Sequence, residues 1–329
     1  MMHNPINIGS VDQVSLTFLV DNKADLVVES SDRVRYFTDE PLLAEHGFSV
    51  LIQLEDLERN ILWDAGVSKI ALTENMRRMK FDSASIAKIA LSHGHLDHYA
   101  AMTNLLIEMD LLPGEKEWGA LVKAKEVEEW LESFRIPIVA HPAAFRERWW
   151  EKDDGTMVGP FCPPPALEWK AAGANLVLSE DPYKLEPGCW TTGFIPRKSF
   201  EESGRSKKLR YRSGSEFFPD DLEDDQAIVI NVEGKGLIVL SGCAHSGIVN
   251  TVNHAKDFFK IDSIYAVMGG FHLSRASDDE IDRTVDFIQS LGARLVIPSH
   301  CTGIRAISQF AQKMPDEFVE GVVGATFLL

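Results

Sequence analysis

The run Leu91-Ser92-His93-Gly94-His95-Leu96-Asp97-His98 constrains this chain more than any other stretch. Three imidazoles and a carboxylate fall within six positions, directly after an apolar run (Ile86, Ile89, Ala90, Leu91) that reads as a buried strand. Neutral imidazole and carboxylate are donors that suit zinc and its first-row neighbours. Only ten histidines occur in 329 residues, so three in one loop beside an aspartate point to ligation rather than to chance clustering. If extended geometry persists past the strand, His93 and His95 face one side, because side chains alternate with period two. From Asp97 to Ile107 the apolar positions take helical spacing, and Asp97 suits an N-cap or first turn. His98 then leaves the strand's direction. The loop is expected to give His93 and His95 to one metal ion, and Asp97 and His98 to a second.

This segment resembles the signature of the metallo-β-lactamase superfamily, His-x-His-x-Asp-His at a strand end, with every defining position present. Upstream, Ile61-Leu62-Trp63-Asp64-Ala65-Gly66 is similar to the superfamily's strand followed by Asp-x-Gly. Its aspartate is a partner of a metal-bound histidine. Downstream, Leu295-Val296-Ile297-Pro298-Ser299-His300 resembles the final strand that delivers the last histidine. The motifs run in order from residue 61 to residue 300. The resemblance implies a four-layer αββα sandwich in a single domain over 1–329. Strand and helix patterning alone says only α/β. It further implies two divalent cations, zinc first and manganese or iron as alternatives, held by His93, His95, Asp97, His98, His245 and His300.

The middle of the chain departs from the commonest pattern. Cys243 stands where many members carry a bridging aspartate, and no Gly-His-Thr occurs upstream, where Thr191 to Arg197 stand instead. Together with Met268-Gly269-Gly270-Phe271-His272-Leu273 and Ser299-His300-Cys301-Thr302-Gly303, this resembles the branch labelled dihydropterin-ribofuranosyl-aminobenzene-phosphate synthase. The label implies a pterin or phosphorylated aromatic ligand.

The remaining candidates are weighed one by one. His245 ends a strand two residues after Cys243, so extended geometry puts both on one side. Cys243 is either a thiolate ligand or a small buried residue filling the aspartate's place. His272 also ends an apolar strand and reads as a substrate contact, an acid or a ligand. Asp64 is expected to orient a ligand imidazole through its other ring nitrogen. Arg197 reads either as a contact to an anionic substrate or as an exposed arginine, and His141 as a packed or surface histidine. Asp97 and His272 are the catalytic candidates, Asp97 as ligand and proton acceptor.

The formal charge of −17 argues against a general nucleic-acid surface, which needs Lys and Arg to meet phosphates. No apolar run approaches the roughly 20 residues that span a bilayer. Residues 1–12 show no secretory pattern. The four cysteines are widely spaced, which fits a reducing, cytoplasmic setting better than a disulfide framework.

Two stretches look inserted. Residues 141–170 are loop-like and aromatic. Residues 196–225 begin basic and end acidic, and read either as a solvated flexible loop or as a lid whose basic part meets an anionic substrate. No Gly-x-Ser-x-Gly, Gly-x-Gly-x-x-Gly or P-loop occurs. The function that follows is metal-dependent hydrolysis, or a related lyase-type cleavage, of a small anionic substrate, with a metal-held water as nucleophile. Two alternatives stand beside it: redox or oxygen chemistry at the same site, and a non-catalytic ligand-binding protein on a degenerate hydrolase fold.

Overall fold

The structure is a computed structural model that describes residues 8–54, 60–111, 116–119 and 121–329. Of residues 1–12, read above for a secretory pattern, 1–7 lie outside the described residues.

Most of the described strands fall into two sheets packed face to face. The first runs in the order Val34–Tyr36, Ala325–Leu328, Val14–Val20, Ser49–Leu54, Asn60–Trp63, Ile86–Ala90, Ile136–Ala140, Ala174–Leu178. The second runs Lys184–Glu186, Cys189–Thr191, Ala227–Val232, Gly236–Ser241, Ile264–Gly270, Leu295–Ser299. Period-two alternation divides each strand between two cores. Ile238 and Leu240 join Phe18, Ile52 and Trp63 in the core between the sheets. Leu237 and Val239 face outward, under the helices Ile248–Phe259, Asp278–Ser290 and Ile304–Lys313. On the far side of the first sheet, Leu51, Leu62 and Ile89 pack under Ala71–Arg78, Met102–Glu108 and Ala166–Ala171. Helices, sheet, sheet and helices make the four expected layers. Among the described residues, no helix is long and apolar enough to cross a membrane.

Parallel pairing sets where the site lies. Asn60–Trp63, Ile86–Ala90 and Ile136–Ala140 run parallel in the first sheet, and Gly236–Ser241, Ile264–Gly270 and Leu295–Ser299 in the second. Parallel neighbours need crossover connections, so their carboxyl ends collect at one rim, where loops carry ligand-binding groups. Asp64, the His93–His98 loop, Cys243, His272 and His300 all follow such ends. Asp64, Ala244, His272 and His300 have φ between 47° and 57°, a left-handed conformation that residues with a Cβ seldom adopt.

Three expectations need correction. The single helix read from Asp97 onward is two short ones, Leu96–Tyr99 and Met102–Glu108, with His95 as the N-cap and Asp97 in the first turn. The stretches 141–170 and 196–225 are not loops. Arg148–Glu151 and Met157–Phe161 from one pair with Leu209–Ser213 and Glu216–Pro219 from the other in a third, antiparallel sheet. The acidic end of the second stretch is not solvated either, because Asp220, Asp224 and Asp225 are buried.

Candidate metal centre

The rim gathers the predicted ligands into two neighbouring groups. His93, His95 and His245 place donor atoms within 4.8 Å of one another, and so do Asp97, His98, Cys243 and His300. A third grouping on the same criterion, Cys243, His245 and His272, links them. The division of the first loop into His93 with His95, and Asp97 with His98, is the one its spacing implied.

Local geometry prepares several ring nitrogens as donors. His98 donates from Nδ1 to Asp64 Oδ2 at 2.7 Å, with both side chains fully buried. Asp64 Oδ1 accepts from the Ser92 amide at 2.7 Å, which ties the loop to the end of Asn60–Trp63. His98 Nε2 points toward Cys243 Sγ, 3.2 Å away. His245 donates from Nδ1 to the Gly204 carbonyl at 3.2 Å, and its Nε2 stands 3.1 Å from His95 Nδ1. His93 Nε2 and both ring nitrogens of His300 are buried without a hydrogen-bond partner among the described residues. Buried polar atoms are almost always paired, so a cluster of orphaned imidazole nitrogens fits a cation.

The electrostatics run the same way. Burial, reinforced by neighbouring imidazoles, holds His93 and His245 well below the ordinary histidine value. Burial and then Arg148 take His95 down to about 4. Rings held neutral in this way suit metal ligation. Burial opposes ionisation of Asp97, yet His98 and His300 outweigh it and keep the carboxylate charged. His98 moves the other way. Burial disfavours its charge, but Asp97 and Asp64 raise it to about 9.

The loop itself is clamped from behind. Gly94 is the only residue type that fits between the two histidines, since a Cβ there would lie 2.1 Å from the Ala144 carbonyl oxygen. Its amide donates to Asp224 Oδ2 at 2.7 Å. Gln226 donates from its amide to Ser92 O and from Nε2 to Leu91 O. Asp224, from the second inserted stretch, and Gln226, just beyond it, therefore hold the histidine loop in place.

The site opens into a cavity of about 1000 Å³. His95, Asp97, His245, His272 and His300 line its floor, and Trp150, Phe161 and Leu209 of the third sheet its wall. Arg197, a candidate for meeting a substrate anion, is absent from this lining and donates instead to the carbonyls of His245 and Asp221. Nor does the basic run form an open positive face. Lys208, Arg210 and Arg212 pair with Asp153, Glu151 and Glu147. Arg205, paired with Asp221, does reach the cavity, where Arg146 and Arg275 join it. His141 is buried and accepts from the Ala143 amide, a packing role.

Sequence reading missed two residues here. Asp21, at the end of Val14–Val20, accepts the His300 amide at 3.0 Å, and the neighbouring Asn22 donates to the His300 carbonyl at 2.7 Å. Burial raises Asp21 to about 6. Its only sequence signal was that of Asp64, a carboxylate just past an apolar strand. His46 stacks on His300 with ring centroids 5.1 Å apart and places Nε2 3.4 Å from Asp97 Oδ2. A lone exposed histidine gives no signal.

Among solved structures, Tm1679, a metal-dependent hydrolase of the β-lactamase superfamily, matches with a TM-score of 0.69 at 21% identity, over 95% of this chain and 98% of that one. This chain has the metallo-β-lactamase fold. No protein-family model matches it. It is 29% identical over 318 residues to the 7,8-dihydropterin-6-methyl-4-(beta-D-ribofuranosyl)-aminobenzene-5'-phosphate synthase of Methanocaldococcus jannaschii, covering 95% of this chain and 96% of that protein. An uncharacterized protein of the same organism, MJ0448, is 31% identical over 281 residues, 85% of this chain and 92% of its own length.

Within this metallo-β-lactamase fold, the Asp64–His98 contact yields a prediction. Asp64→Ala should weaken metal binding about 10- to 100-fold, the usual loss when the partner of a ligand imidazole is removed. Competition with a chromophoric chelator measures it. Unchanged affinity would show that His98 is oriented without Asp64.

Proposed function

We propose that the chain is an enzyme that cleaves a small anionic organic substrate by hydrolysis or a related lyase-type step. Two divalent cations serve it, one held by His93, His95 and His245, the other by Asp97, His98 and His300. The observation that carries this reading is the convergence of two candidate ligand groups beside one cavity, with His93 Nε2 and both His300 ring nitrogens buried and without a partner among the described residues. Five imidazoles and one carboxylate suit zinc above manganese or iron. Bound there, the cations supply Lewis acidity and ease deprotonation of water near neutral pH.

The protein's own part is positioning and proton handling. Asp97, ionised and reaching the cavity, accepts the proton of the attacking water. His272 also faces the cavity, its ring 4.2 Å from that of His245. Burial opposes its protonation, but Cys301 raises its pKa, which suits it to protonate the leaving group. Arg275 lines the cavity beside Arg146 and Arg205, which are paired with Glu223 and Asp221, and in a chain of net charge −17 these guanidinium groups support an anionic substrate. So does the phosphate in the name of the Methanocaldococcus relative. The four cysteines are free, which agrees with a cytoplasmic setting.

The test has two arms. Elemental analysis of protein purified without chelator should give close to two metals per chain. A screen over phosphodiesters, phosphorylated aromatics, lactones and thioesters should reveal metal-dependent turnover in one class. Folded protein that holds no metal and gains none on reconstitution overturns the reading. The relative's name supports a second one, synthesis rather than cleavage. A condensed product from paired precursors, with no hydrolysis of either alone, would select it.

A further inference from the structure

We infer that Glu201 and Glu280 are positioning residues for His245. They pin residues 199–206 so that the Gly204 carbonyl fixes which ring nitrogen His245 turns toward the cation it shares with His93 and His95. This rests on the reading of His245 as a ligand of that cation. In a neutral imidazole one nitrogen donates and the other accepts. A carbonyl oxygen can only accept, so the 3.2 Å contact between His245 Nδ1 and Gly204 O puts the proton on Nδ1 and leaves Nε2 for a metal.

Asp64 serves His98 with a side chain. Gly204 serves His245 with its backbone, so the contact is only as well placed as the backbone itself. The approach is close, since a Cβ on Gly204 would lie 2.1 Å from the His245 carbonyl oxygen. None of the described helices and strands includes residues 199–206, and residues 202–206 line the cavity. Something other than regular secondary structure must hold them.

Two carboxylates supply the hold. Glu201 is buried, and its Oε1 accepts the Val249 amide at 3.0 Å. Its Oε2 accepts the Asn250 amide at 3.1 Å and the Ser199 hydroxyl at 2.7 Å. Both amides lie in the first turn of Ile248–Phe259, the helix that begins three residues after His245. Gly247 is the N-cap of that helix and has no side chain to cap it, so Glu201 satisfies its free amides from a distant part of the chain. Glu280, in the first turn of Asp278–Ser290, accepts the Glu202 and Ser203 amides through Oε1, both at 2.9 Å. These are the two amides just before Gly204. Asn250 closes the set. Its Oδ1 accepts the Lys198 and Ser199 amides, and its Nδ2 donates to the Ser246 carbonyl beside His245.

Helix capping alone explains less. A cap for Ile248–Phe259 has no need of Glu280, whose two bonds reach away from its own helix to the amides that lead into Gly204. Both carboxylates converge on the stretch that carries the His245 partner.

Nitrogen-15 histidine labelling of the metal-free full chain reads the tautomer by long-range proton–nitrogen correlation, with His245→Asn assigning the signal. Wild type should show His245 in the Nδ1–H form. Glu201→Gln, which turns an N–H group toward a donor, and Glu280→Ala should each shift it to a mixture with the Nε2–H form. Zinc competition with a chromophoric chelator should find one of the two bound equivalents ~10-fold weaker and the other unchanged, the lower end of the loss seen when the partner of a ligand imidazole is removed. A lower urea midpoint with the tautomer and both affinities unchanged makes the two carboxylates plain structural contacts and overturns the inference. So does a mixed tautomer in wild type. Wild type that holds the Nδ1–H form but binds no zinc overturns the two-cation reading instead, and the tautomer shift in the variants then decides the role of the carboxylates. Should Glu201→Gln not fold, Glu280→Ala carries the same measurements.

Discussion

Replacing Asp97 with alanine will reduce turnover by ~10²–10⁴-fold, the range lost with a general base, and will lower metal content from two per chain toward one. Asp97 is the one carboxylate in the ligand groups among the described residues. Its Oδ2 lies 3.6 Å from His98 Nε2 and 3.4 Å from His300 Nε2. On the proposed reading, removing it takes away a donor, a proton acceptor and the negative charge that balances these rings. The first group does not include Asp97 and should keep its cation. His46→Ala is the control, since His46 also lies 3.4 Å from Asp97 Oδ2 but belongs to neither donor set. It should retain both metals. Metal analysis and turnover on the substrate found by screening read the result. An alanine variant with two metals and activity within tenfold of wild type would remove Asp97 from both roles.

The grouping of the candidate ligands was legible in the sequence because it is local. His93, His95, Asp97 and His98 share one strand end, and their spacing alone divides them between two donor sets. Asp64, His245 and His300 were legible for a related reason, each standing just past an apolar run with strand periodicity. What surrounds the centre was not legible, because it depends on partners far along the chain. Trp149-Trp150 read as loop until Leu209 and Arg210 supply the opposing strand, and a β-strand's stability lies in such cross-strand contacts. Asp220, Asp224 and Asp225 looked solvated because five acids in six positions normally are. Their burial requires Arg148, the Gly94 amide and the Ser246 amide, contributed by three other segments. The basic run misled in the opposite sense, since acidic partners on the same sheet neutralise most of it.

Those distant partners set the second large effect. Arg148 is 3% exposed and donates from Nε to Asp220 Oδ2 at 2.8 Å and from Nη2 to Asp224 Oδ1 at 2.5 Å. Arg148→Ala leaves both carboxylates buried without their cation, and such a loss costs about 3–5 kcal/mol. The damage should reach the metal loop, because Asp224 also accepts the Gly94 amide between His93 and His95. Metal affinity is therefore expected to fall along with the urea midpoint of the metal-free protein. The pH dependence carries a signature. Burial raises Asp224, but Arg148 outweighs it and holds the group below the ordinary carboxylate range. In wild type its stabilising contribution is present above the unfolded value of about 4 and is lost as pH falls through the depressed folded value. Without Arg148, burial acts alone and the folded value rises. The variant's deficit should then be largest near neutral pH and shrink on acidification. A triple variant, Arg148→Met with Asp220→Asn and Asp224→Asn, removes the stranded charges and should recover most of the loss. A single variant destabilised by less than ~1 kcal/mol, or by the same amount at pH 5 and pH 8, would show that the buried network does not hold the two inserted segments against the histidine loop.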